Sequence, residues 1–283
     1  MITTISNSVL TAAIKHTGAE LCSLKDNLNK EYIWNANPEF WGKHSPVLFP
    51  IVGTLKNNNY QYNNNEYQLS RHGFAREMEF KLIDKQENSA TFSLVSSLQT
   101  AKKYPFHFDL HLIYTLDNKS LKIEYKVFNN GESKMPFSIG AHPAFDLPGD
   151  FESYSLVFDK NEQLQYYLLE DGLISNTKKN LLLDQNELHL DYKLFEQDAL
   201  VFKNIPSKSV TILENSRPFL RVCYPKFPDL GIWTPPNAPF ICIEPWFGYS
   251  DTLDQFGHIL EKEGIQVLEA KNIFHTAFSI EIL

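Results

Sequence analysis

The sequence predicts an all-β protein, a large antiparallel sandwich of two sheets, on the strength of three observations. Apolar and polar residues alternate with a period of two in many segments, which places successive side chains on opposite faces of a strand. Aromatic residues, which favour strands, make up 13% of the 283 residues. Helical periodicity is weak, so helices do not alternate with the strands, and one sheet is expected to cover another.

The clearest strand pair covers residues 106–116 and 121–127. In the first segment every even position is apolar and most odd positions are polar, and the second segment alternates in the same way. A polar turn, Asp-Asn-Lys at 117–119, joins them, which indicates an antiparallel hairpin. A second hairpin is predicted from residues 60–62 to residues 67–69, with its turn at the three asparagines 63–65.

The remaining strand candidates share short alternating or continuous apolar runs bounded by polar turns. They are residues 9–15, 19–24, 91–95, 155–158, 209–213, 219–224, 240–243 and 275–282. Short helical pieces are predicted only near residues 38–41, 193–196 and 253–260. No linker, repeat or change of composition divides the chain, so residues 1–283 are expected to form one domain.

Charge and cysteine content exclude several classes of protein. A formal net charge of −8 argues against a nucleic-acid or anionic-membrane partner, because both need clustered Lys and Arg. The sequence shows neither a secretory signal nor an apolar run approaching the roughly 20 residues of a membrane span. Cys22, Cys223 and Cys242 are too scattered for a disulfide framework or a metal knuckle. We therefore expect a cytoplasmic protein, with a homodimer as one open alternative.

His142 and Glu244 are the strongest catalytic candidates. His142 lies in the run Gly-Ala-His-Pro-Ala-Phe at residues 140–145, where Pro143 favours an extended backbone and small neighbours leave room for a ligand. Glu244 follows an apolar strand and precedes Pro-Trp-Phe, so burial would raise its pKa towards that of a general base. The alternatives are a core histidine and a strand-end carboxylate in an ordinary ion pair.

Arg71, His72 and Arg76 are candidate substrate contacts. Their run, Arg-His-Gly-Phe-Ala-Arg, offers two forked guanidiniums suited to neighbouring hydroxyls or a phosphate, and an imidazole suited to a sugar oxygen. Pairing with surface charges is the alternative for each. Trp246, two residues after Glu244, is the aromatic residue best placed to stack on a pyranose. The sequence does not distinguish the other aromatic candidates from ordinary core residues. These are Trp41, Phe74, Trp233 and Phe247.

Metal and nucleotide chemistry find no support in the sequence. His107 and His111 share a face of a predicted strand but lie about 13 Å apart at roughly 3.3 Å per residue, too far to bind one metal ion. The sequence patterns of zinc proteases, α/β-hydrolases, phosphate loops and dinucleotide folds are absent. Proton transfer on a small polyhydroxylated molecule is the chemistry that the candidate residues indicate.

Several runs, in order along the chain, resemble the galactose mutarotase-like (aldose 1-epimerase) superfamily, and most closely its LacX-type bacterial branch. They are Ser-Pro-Val-Leu-Phe-Pro-Ile-Val-Gly at 45–53, the runs at 71–76 and 140–145, Ile-Glu-Pro-Trp-Phe-Gly at 243–248, and the closing segment 275–281. Each run alone is weak, but the ordered set is specific and spans essentially the whole chain.

The resemblance implies a single β-supersandwich domain with an open cleft on one sheet and no metal or organic cofactor. It places the family's acid histidine on His142, its base glutamate on Glu244 and its substrate-binding histidine on His72. It also places an arginine of the related hexose-phosphate epimerases on Arg76. The acid and base are expected to face each other across a pocket about as wide as one pyranose.

One departure from the family pattern concerns the segment after the Phe-Pro-x-x-Gly turn. Many relatives carry an arginine there, whereas this chain has Thr54, Leu55 and Lys56. Lys56 or Arg71 could replace it, or the substrate preference could differ. Three hypotheses follow: interconversion of the anomers of a free aldohexose, the same reaction on a hexose 6-phosphate, and carbohydrate binding without catalysis.

Overall fold

The structure is a computed structural model that describes residues 1–161, 163–255 and 257–283. Strands dominate its secondary structure. The strands up to residue 146 are β1 (Ile2–Ser6), β2 (Leu10–Lys15), β3 (Leu21–Asp26), β4 (Val47–Leu48), β5 (Asn59–Tyr62), β6 (Asn65–Gln68), β7 (Lys81–Lys85), β8 (Ser89–Val95), β9 (Phe108–Asp117), β10 (Ser120–Asn129), β11 (Met135–Phe137), β12 (Ile139–Ala141) and β13 (Ala144–Asp146). Those that follow are β14 (Tyr154–Phe158), β15 (Gln165–Glu170), β16 (Leu173–Asn180), β17 (Glu187–His189), β18 (Leu200–Phe202), β19 (Ser209–Glu214), β20 (Arg217–Cys223), β21 (Asp229–Trp233), β22 (Phe240–Phe247), β23 (Gln266–Leu268) and β24 (Ile273–Ile282).

Within the described residues, nine strands form an antiparallel sheet, here called the back sheet. Their order is β17-β14-β19-β20-β24-β10-β9-β8-β7. At its centre is the predicted hairpin, in which β9 pairs with β10 around Asn118 and Lys119. Asn118 has a φ of 50°, a conformation that asparagine tolerates in tight hairpin turns. Alternate residues of β9 are buried, from Phe108 to Leu116, as the period-two pattern predicts.

Eight strands of the described chain form a second antiparallel sheet, here called the front sheet. The order is β16-β15-β18-β21-β22-β12-β4, and β13 also pairs with β22. Successive side chains of β22 point to opposite faces. Ile241 and Ile243 join the main core, whereas Cys242 and Trp246 belong to clusters on the other face. Glu244 shares that other face, so this candidate residue lies on the side of the front sheet away from the main core.

The main core fills the space between the two sheets. Phe158 of the back sheet contacts Phe202 of the front sheet, with 6.3 Å between ring centroids. Leu220 and Leu230, from the back and front sheets respectively, are fully buried in the same cluster. Each such side chain stabilises the fold by about 1.5–3 kcal/mol relative to an exposed position. The prediction of an all-β antiparallel sandwich is confirmed.

Smaller sheets flank this sandwich. β1, β2 and β3 form one, β11 pairs with β23, and β5 pairs with β6 in the second predicted hairpin. The turn of that hairpin is shorter than expected, because Asn65 already pairs with Tyr62. Asn63 and Asn64 both have positive φ, 47° and 60°, the conformation that two-residue hairpin turns require.

The short helical predictions are mostly wrong. Residues 38–40 form a turn, and the piece near 193–196 is a 3-10 turn, Tyr192–Phe195. The piece at 253–260 includes Phe256, which lies outside the described residues, and its described neighbours contain the 3-10 turn Ile259–Glu261. Further 3-10 turns are Lys56–Asn58, Ala75–Glu77 and Phe151–Ser153.

An α-helix that the periodicity did not predict is α1 (Leu98–Ala101), whose N-cap Ser97 exchanges hydrogen bonds with Thr100. Among the described residues there is no helix with the length and apolar character needed to cross a membrane.

Candidate active site

A cavity of about 400 Å³ opens on the front sheet, within the usual range for small-molecule sites. Its lining combines side chains from several strands with others from the loops between them. The lining residues are Trp41, Gly53, Arg71, His72, Arg76, His142, Leu169, Ile174, Asp198, Ala199, Val201, Trp233, Glu244, Trp246, Tyr249 and Ser250. Every site residue that the sequence singled out lies in this one cavity.

Glu244 projects into the cavity from the middle of β22. Its side chain is only 2% exposed. Burial raises its pKa well above the ordinary value for a glutamate, and the Arg71 guanidinium opposes this shift. One carboxylate oxygen, Oε2, makes no hydrogen bond to any described residue. A buried polar atom without a partner is costly, so this oxygen is available to a ligand.

His142 follows β12 and is enclosed by two tryptophans. The indole of Trp41 stacks on the imidazole, with 4.7 Å between ring centroids and 22° between planes. Trp233 meets it edge-on, with ring centroids 6.0 Å apart. Burial lowers the pKa of His142 to about 3, and the Arg71 guanidinium acts in the same direction. His142 is therefore neutral at physiological pH when no ligand is bound.

The two candidate catalytic groups lie closer together than the sequence suggested. Nε2 of His142 is 3.3 Å from Oε2 of Glu244. A pyranose ring does not fit between them, so the expectation that they face each other across a ring-wide pocket is wrong. A ligand instead meets both groups from the same side. Two oxygens bonded to one carbon can therefore contact one group each.

His72 has its tautomer set by the backbone. The Gly53 N–H donates to Nδ1 of His72 over 3.1 Å, and the Nε of Arg71 lies 3.2 Å from Nε2. Burial lowers the pKa of His72 well below its usual value, so the ring is neutral and has a single acceptor nitrogen. The Gly53 donor is fixed in the loop, whereas the Arg71 side chain is 48% exposed. Both ring nitrogens therefore face a donor in the structure, one more than a neutral imidazole can accept, and the exposed Arg71 is the weaker of the two contacts.

Both predicted arginines reach the cavity. Nη2 of Arg71 lies 3.9 Å from Oδ1 of Asp198, close to the longest distance at which an ion pair is counted. Arg76 donates a hydrogen bond to the Arg71 carbonyl over 2.9 Å. Within the part of the chain that the structure describes, Nε of Arg76 is buried without a hydrogen-bond partner, and its nearest carboxylate, that of Glu77, is 3.7 Å away. Pairing with surface carboxylates is thus weak, and both guanidiniums retain donors for a ligand.

Lys56 does not take the place of the arginine that many relatives carry. Its Nζ donates to the Leu253 carbonyl over 2.6 Å, and it is outside the set of described residues that line the cavity. Arg71 does line the cavity, so it is the cation that can serve there. The Thr54 N–H donates to the Ser250 hydroxyl, which ties this loop to the cavity wall.

The aromatic candidates divide between the cavity and the core. Trp246 lines the cavity at 5% exposure, and Trp41 and Trp233 line it too. Phe74 instead packs on the core ring of Phe49, and Phe247 packs on core rings as well. The sequence singled out Trp246 but did not separate Trp41 and Trp233 from the core aromatic residues, because which ring reaches the site depends on tertiary packing.

Other lining residues were missed by sequence reasoning. Tyr249 and Ser250 directly follow the Ile-Glu-Pro-Trp-Phe-Gly run, so their proximity to the motif was an available signal. The apolar wall comes from three strands, with Leu169 on β15, Ile174 on β16 and Val201 on β18. Asp198 lies in the loop just before β18. Nothing local in the sequence marks those segments.

His142 and Glu244, together with the buried Cys242, which is not one of the described residues lining the cavity, could in principle hold a metal ion. One ligand atom each of His142, Cys242 and Glu244 lies within 4.8 Å of the others. Burial, together with the Glu244 carboxylate, raises the pKa of the Cys242 thiol well above its usual value, and the thiolate is the form that binds metals. The set therefore suits proton transfer better than metal binding.

An imidazole and a carboxyl group lie side by side in a cavity on the front sheet, an arrangement that suits acid–base chemistry on a small molecule. A family model described as aldose 1-epimerase matches residues 1–265. The chain therefore belongs to the aldose 1-epimerase family, and it is an isomerase with a general role in sugar epimerisation.

The relatives agree with this assignment. The plasmid protein LacX of Lactococcus lactis subsp. lactis is 40% identical over 272 residues, 91% of each chain. A galactose mutarotase related enzyme from Lactobacillus acidophilus is 33% identical, with a TM-score of 0.96 over 100% of this chain and 97% of that one. A galactose mutarotase-like protein from Lactobacillus casei is 31% identical, with a TM-score of 0.94 over 100% of both.

Proposed function

We propose that this protein, acting as one domain over residues 1–283, interconverts the α and β anomers of a free aldohexose such as galactose or glucose. The observation that carries the proposal is the contact of 3.3 Å between His142 Nε2 and Glu244 Oε2 in the cavity. The hydroxyl oxygen and the ring oxygen of a sugar are bonded to the same anomeric carbon. Two adjacent proton-transfer groups on one side of the sugar are what ring opening needs.

In the proposed reaction, Glu244 takes the proton of the C1 hydroxyl while His142 gives a proton to the ring oxygen O5. The C1–O5 bond breaks with its electron pair on O5, and O1 forms the aldehyde double bond. After rotation about C1–C2, O5 attacks the other face of C1 and both protons return. The net change is inversion of the configuration at C1, and no other reactant is consumed.

The ligand-free pair must change its protonation before this cycle can begin. Burial raises the pKa of Glu244 and lowers that of His142 to about 3, so burial favours a proton on the carboxyl group over one on the imidazole. The reactive form, carboxylate with imidazolium, carries the same net charge as carboxyl with neutral imidazole. The proposal therefore requires the bound sugar to stabilise the charged form, with the proton passing between two groups 3.3 Å apart. Each positioned acid or base typically contributes about 10²–10⁴-fold to the rate.

Substrate hydroxyls are assigned to the polar wall of the cavity. His72 offers Nε2–H, and Arg71 and Arg76 offer guanidinium donors, of which Nε of Arg76 is buried. Trp246 offers a stacking face beside Glu244. Forked donors on one side and an aromatic ring on another match the polar edge and apolar face of a pyranose.

Polarimetry on freshly dissolved α-galactose or α-glucose tests the proposal. The wild type should accelerate equilibration, and Glu244→Gln and His142→Asn should each lose about 10²-fold or more while still binding sugar. A matched control exists on the back sheet, where His275 Nε2 lies 3.0 Å from Glu124 Oε2. Glu124→Gln and His275→Asn should keep the wild-type rate.

Two outcomes contradict the proposal. Wild-type rates in either cavity variant would remove the assigned roles. Saturable sugar binding by calorimetry without any acceleration by the wild type would make the protein a carbohydrate-binding protein on the same scaffold.

A hexose 6-phosphate is the second candidate substrate, favoured by the two guanidiniums in the cavity. Arg71 and Arg76 are only weakly paired with carboxylates, at 3.9 Å and 3.7 Å. A phosphate would take up their free donors. Competitive inhibition by inorganic phosphate and a lower KM for the phosphorylated sugar would support this candidate. Equal rates with and without phosphate favour the neutral sugar.

A further inference from the structure

Two glycines of the front sheet leave the space in which the Trp246 indole lies. Trp246 is on β22, and its neighbours on both sides of that strand include a glycine: Gly140 of β12 is its direct pairing partner, and Gly231 of β21 pairs with Glu244. A Cβ on Gly231 would lie 2.4 Å from two atoms of the six-membered ring, Cη2 and Cζ2. A Cβ on Gly140 would lie 2.5 Å from Cδ1 of the five-membered ring.

Neither glycine is needed for backbone conformation. Gly140 and Gly231 are absent from the positive-φ glycines of the described chain, so an alanine there would meet no intrinsic backbone strain. Real Cβ atoms do not approach other atoms to 2.4 Å or 2.5 Å, so a side chain at either position would displace the indole. The absence of a side chain at Gly140 and Gly231 therefore allows the Trp246 indole to lie where it does.

The indole held in this way lies across the strands beside the catalytic pair. Its six-membered ring occupies the space next to Glu244 that a side chain at position 231 would fill, and its five-membered ring lies over position 140, two residues before His142. Trp246 is 5% exposed. Its indole N–H makes no hydrogen bond of good geometry to a described residue, but it lies near enough to the Glu244 carboxyl to lower the pKa of that group. The indole is thus in direct contact with the proposed base.

We propose that Gly140 and Gly231 are positioning residues that hold the Trp246 indole across the front sheet as the platform for the sugar ring. The platform fixes which face of the pyranose lies on the sheet. The anomeric carbon is thereby presented to Glu244 and His142. This inference rests on the proposed function, because the ligand is taken to be a sugar.

Gly231→Ala and Gly140→Ala test the platform, with sugar affinity measured by calorimetry and kcat and KM by polarimetry. Each variant should bind galactose or glucose roughly tenfold more weakly, about 1.4 kcal/mol. Gly42→Ala is the matched control, since its Cβ would meet only Pro38 Cβ at 4.0 Å, an ordinary contact. In a Trp246→Phe background, adding Gly231→Ala should cost no further affinity, because the smaller ring does not reach position 231.

Wild-type affinity and KM in both folded alanine variants would overturn the inference. So would a further tenfold loss of affinity when Gly231→Ala is added to Trp246→Phe, which would show that the added methyl group acts elsewhere. These outcomes are separate from the proposed function. If the wild type binds sugar without accelerating anomer exchange, the catalytic proposal fails while the affinities still decide the role of the glycines. A wild type that binds no sugar would overturn both.

Discussion

A buried ion pair behind the cavity wall gives the sharpest stability prediction. Lys262 Nζ lies 3.0 Å from Asp251 Oδ1, and both side chains are only 2% exposed. Lys262 also donates to the Tyr249 carbonyl, and Asp251 accepts from the Lys56 N–H over 2.8 Å. The pair therefore joins the segment at 249–251, which lines the cavity, to the loop that begins at Gly53.

Lys262→Met removes the ammonium and leaves the Asp251 carboxylate buried without its counter-charge. Such a loss costs about 3–5 kcal/mol, although an intact buried pair adds little net stability. Unfolding entropy of about 2.1 cal/mol/K per residue, scaled to this chain, gives about 0.6 kcal/mol/K. The melting temperature should therefore fall by about 5–8 °C.

Differential scanning calorimetry measures this fall, with Lys134→Met as the control. Lys134 pairs with Glu269 over 2.8 Å, but both side chains are largely exposed, at 62% and 57%. Such a surface pair is worth about 0–1 kcal/mol, so its loss should shift the melting temperature by less than about 2 °C. Adding Asp251→Asn to Lys262→Met should recover most of the stability. Equal losses for the two lysine variants would refute the role given to the buried pair.

Three further predictions concern the catalytic pair. Because burial lowers the pKa of His142 to about 3, the imidazole does not take up a proton from solvent near neutral pH, so kcat/KM should show no acid limb near pH 6.5. A limb there, in a pH–rate profile, would contradict this. A raised carboxyl pKa means that the folded state holds a proton that the unfolded state releases, so the wild type loses stability as pH rises above about 4.5. Glu244→Gln has no such proton, so its stability relative to the wild type should increase between pH 5 and 8 in urea titrations. A stability difference between the two proteins that does not change with pH would contradict this. Trp41→Ala opens His142 to water, which should raise the pKa of the imidazole in an NMR titration, whereas an unchanged pKa would exclude shielding by that indole.

The fold was predictable where the pattern is local. β9 and β10 alternate over ten residues each and meet at a polar turn, so a single reading of periodicity finds them. β4, β12 and β13 are two or three residues long and almost wholly buried, so they show no alternation. They become strands because β22 and each other offer backbone partners, which only the tertiary structure supplies.

The candidate site was predictable for the two groups to which we assign the chemistry. His142 and Glu244 stood in unusual local settings, a histidine before proline and a carboxylate ending an apolar run. Their separation was misjudged, because it depends on the pairing of β12 with β22 across about 100 residues of chain. Trp41 was not singled out for the same reason: it reaches His142 through a loop fixed by the Trp34 indole, which donates to the Trp41 carbonyl.

A structure of the Glu244→Gln variant with galactose bound tests the central claim most directly. The sugar should lie on Trp246 with O1 within hydrogen-bond reach of residue 244, at about 2.6–3.2 Å, and O5 within the same reach of His142 Nε2. A sugar bound with its anomeric carbon turned away from both groups, while the wild type still accelerates anomer exchange, would contradict the account.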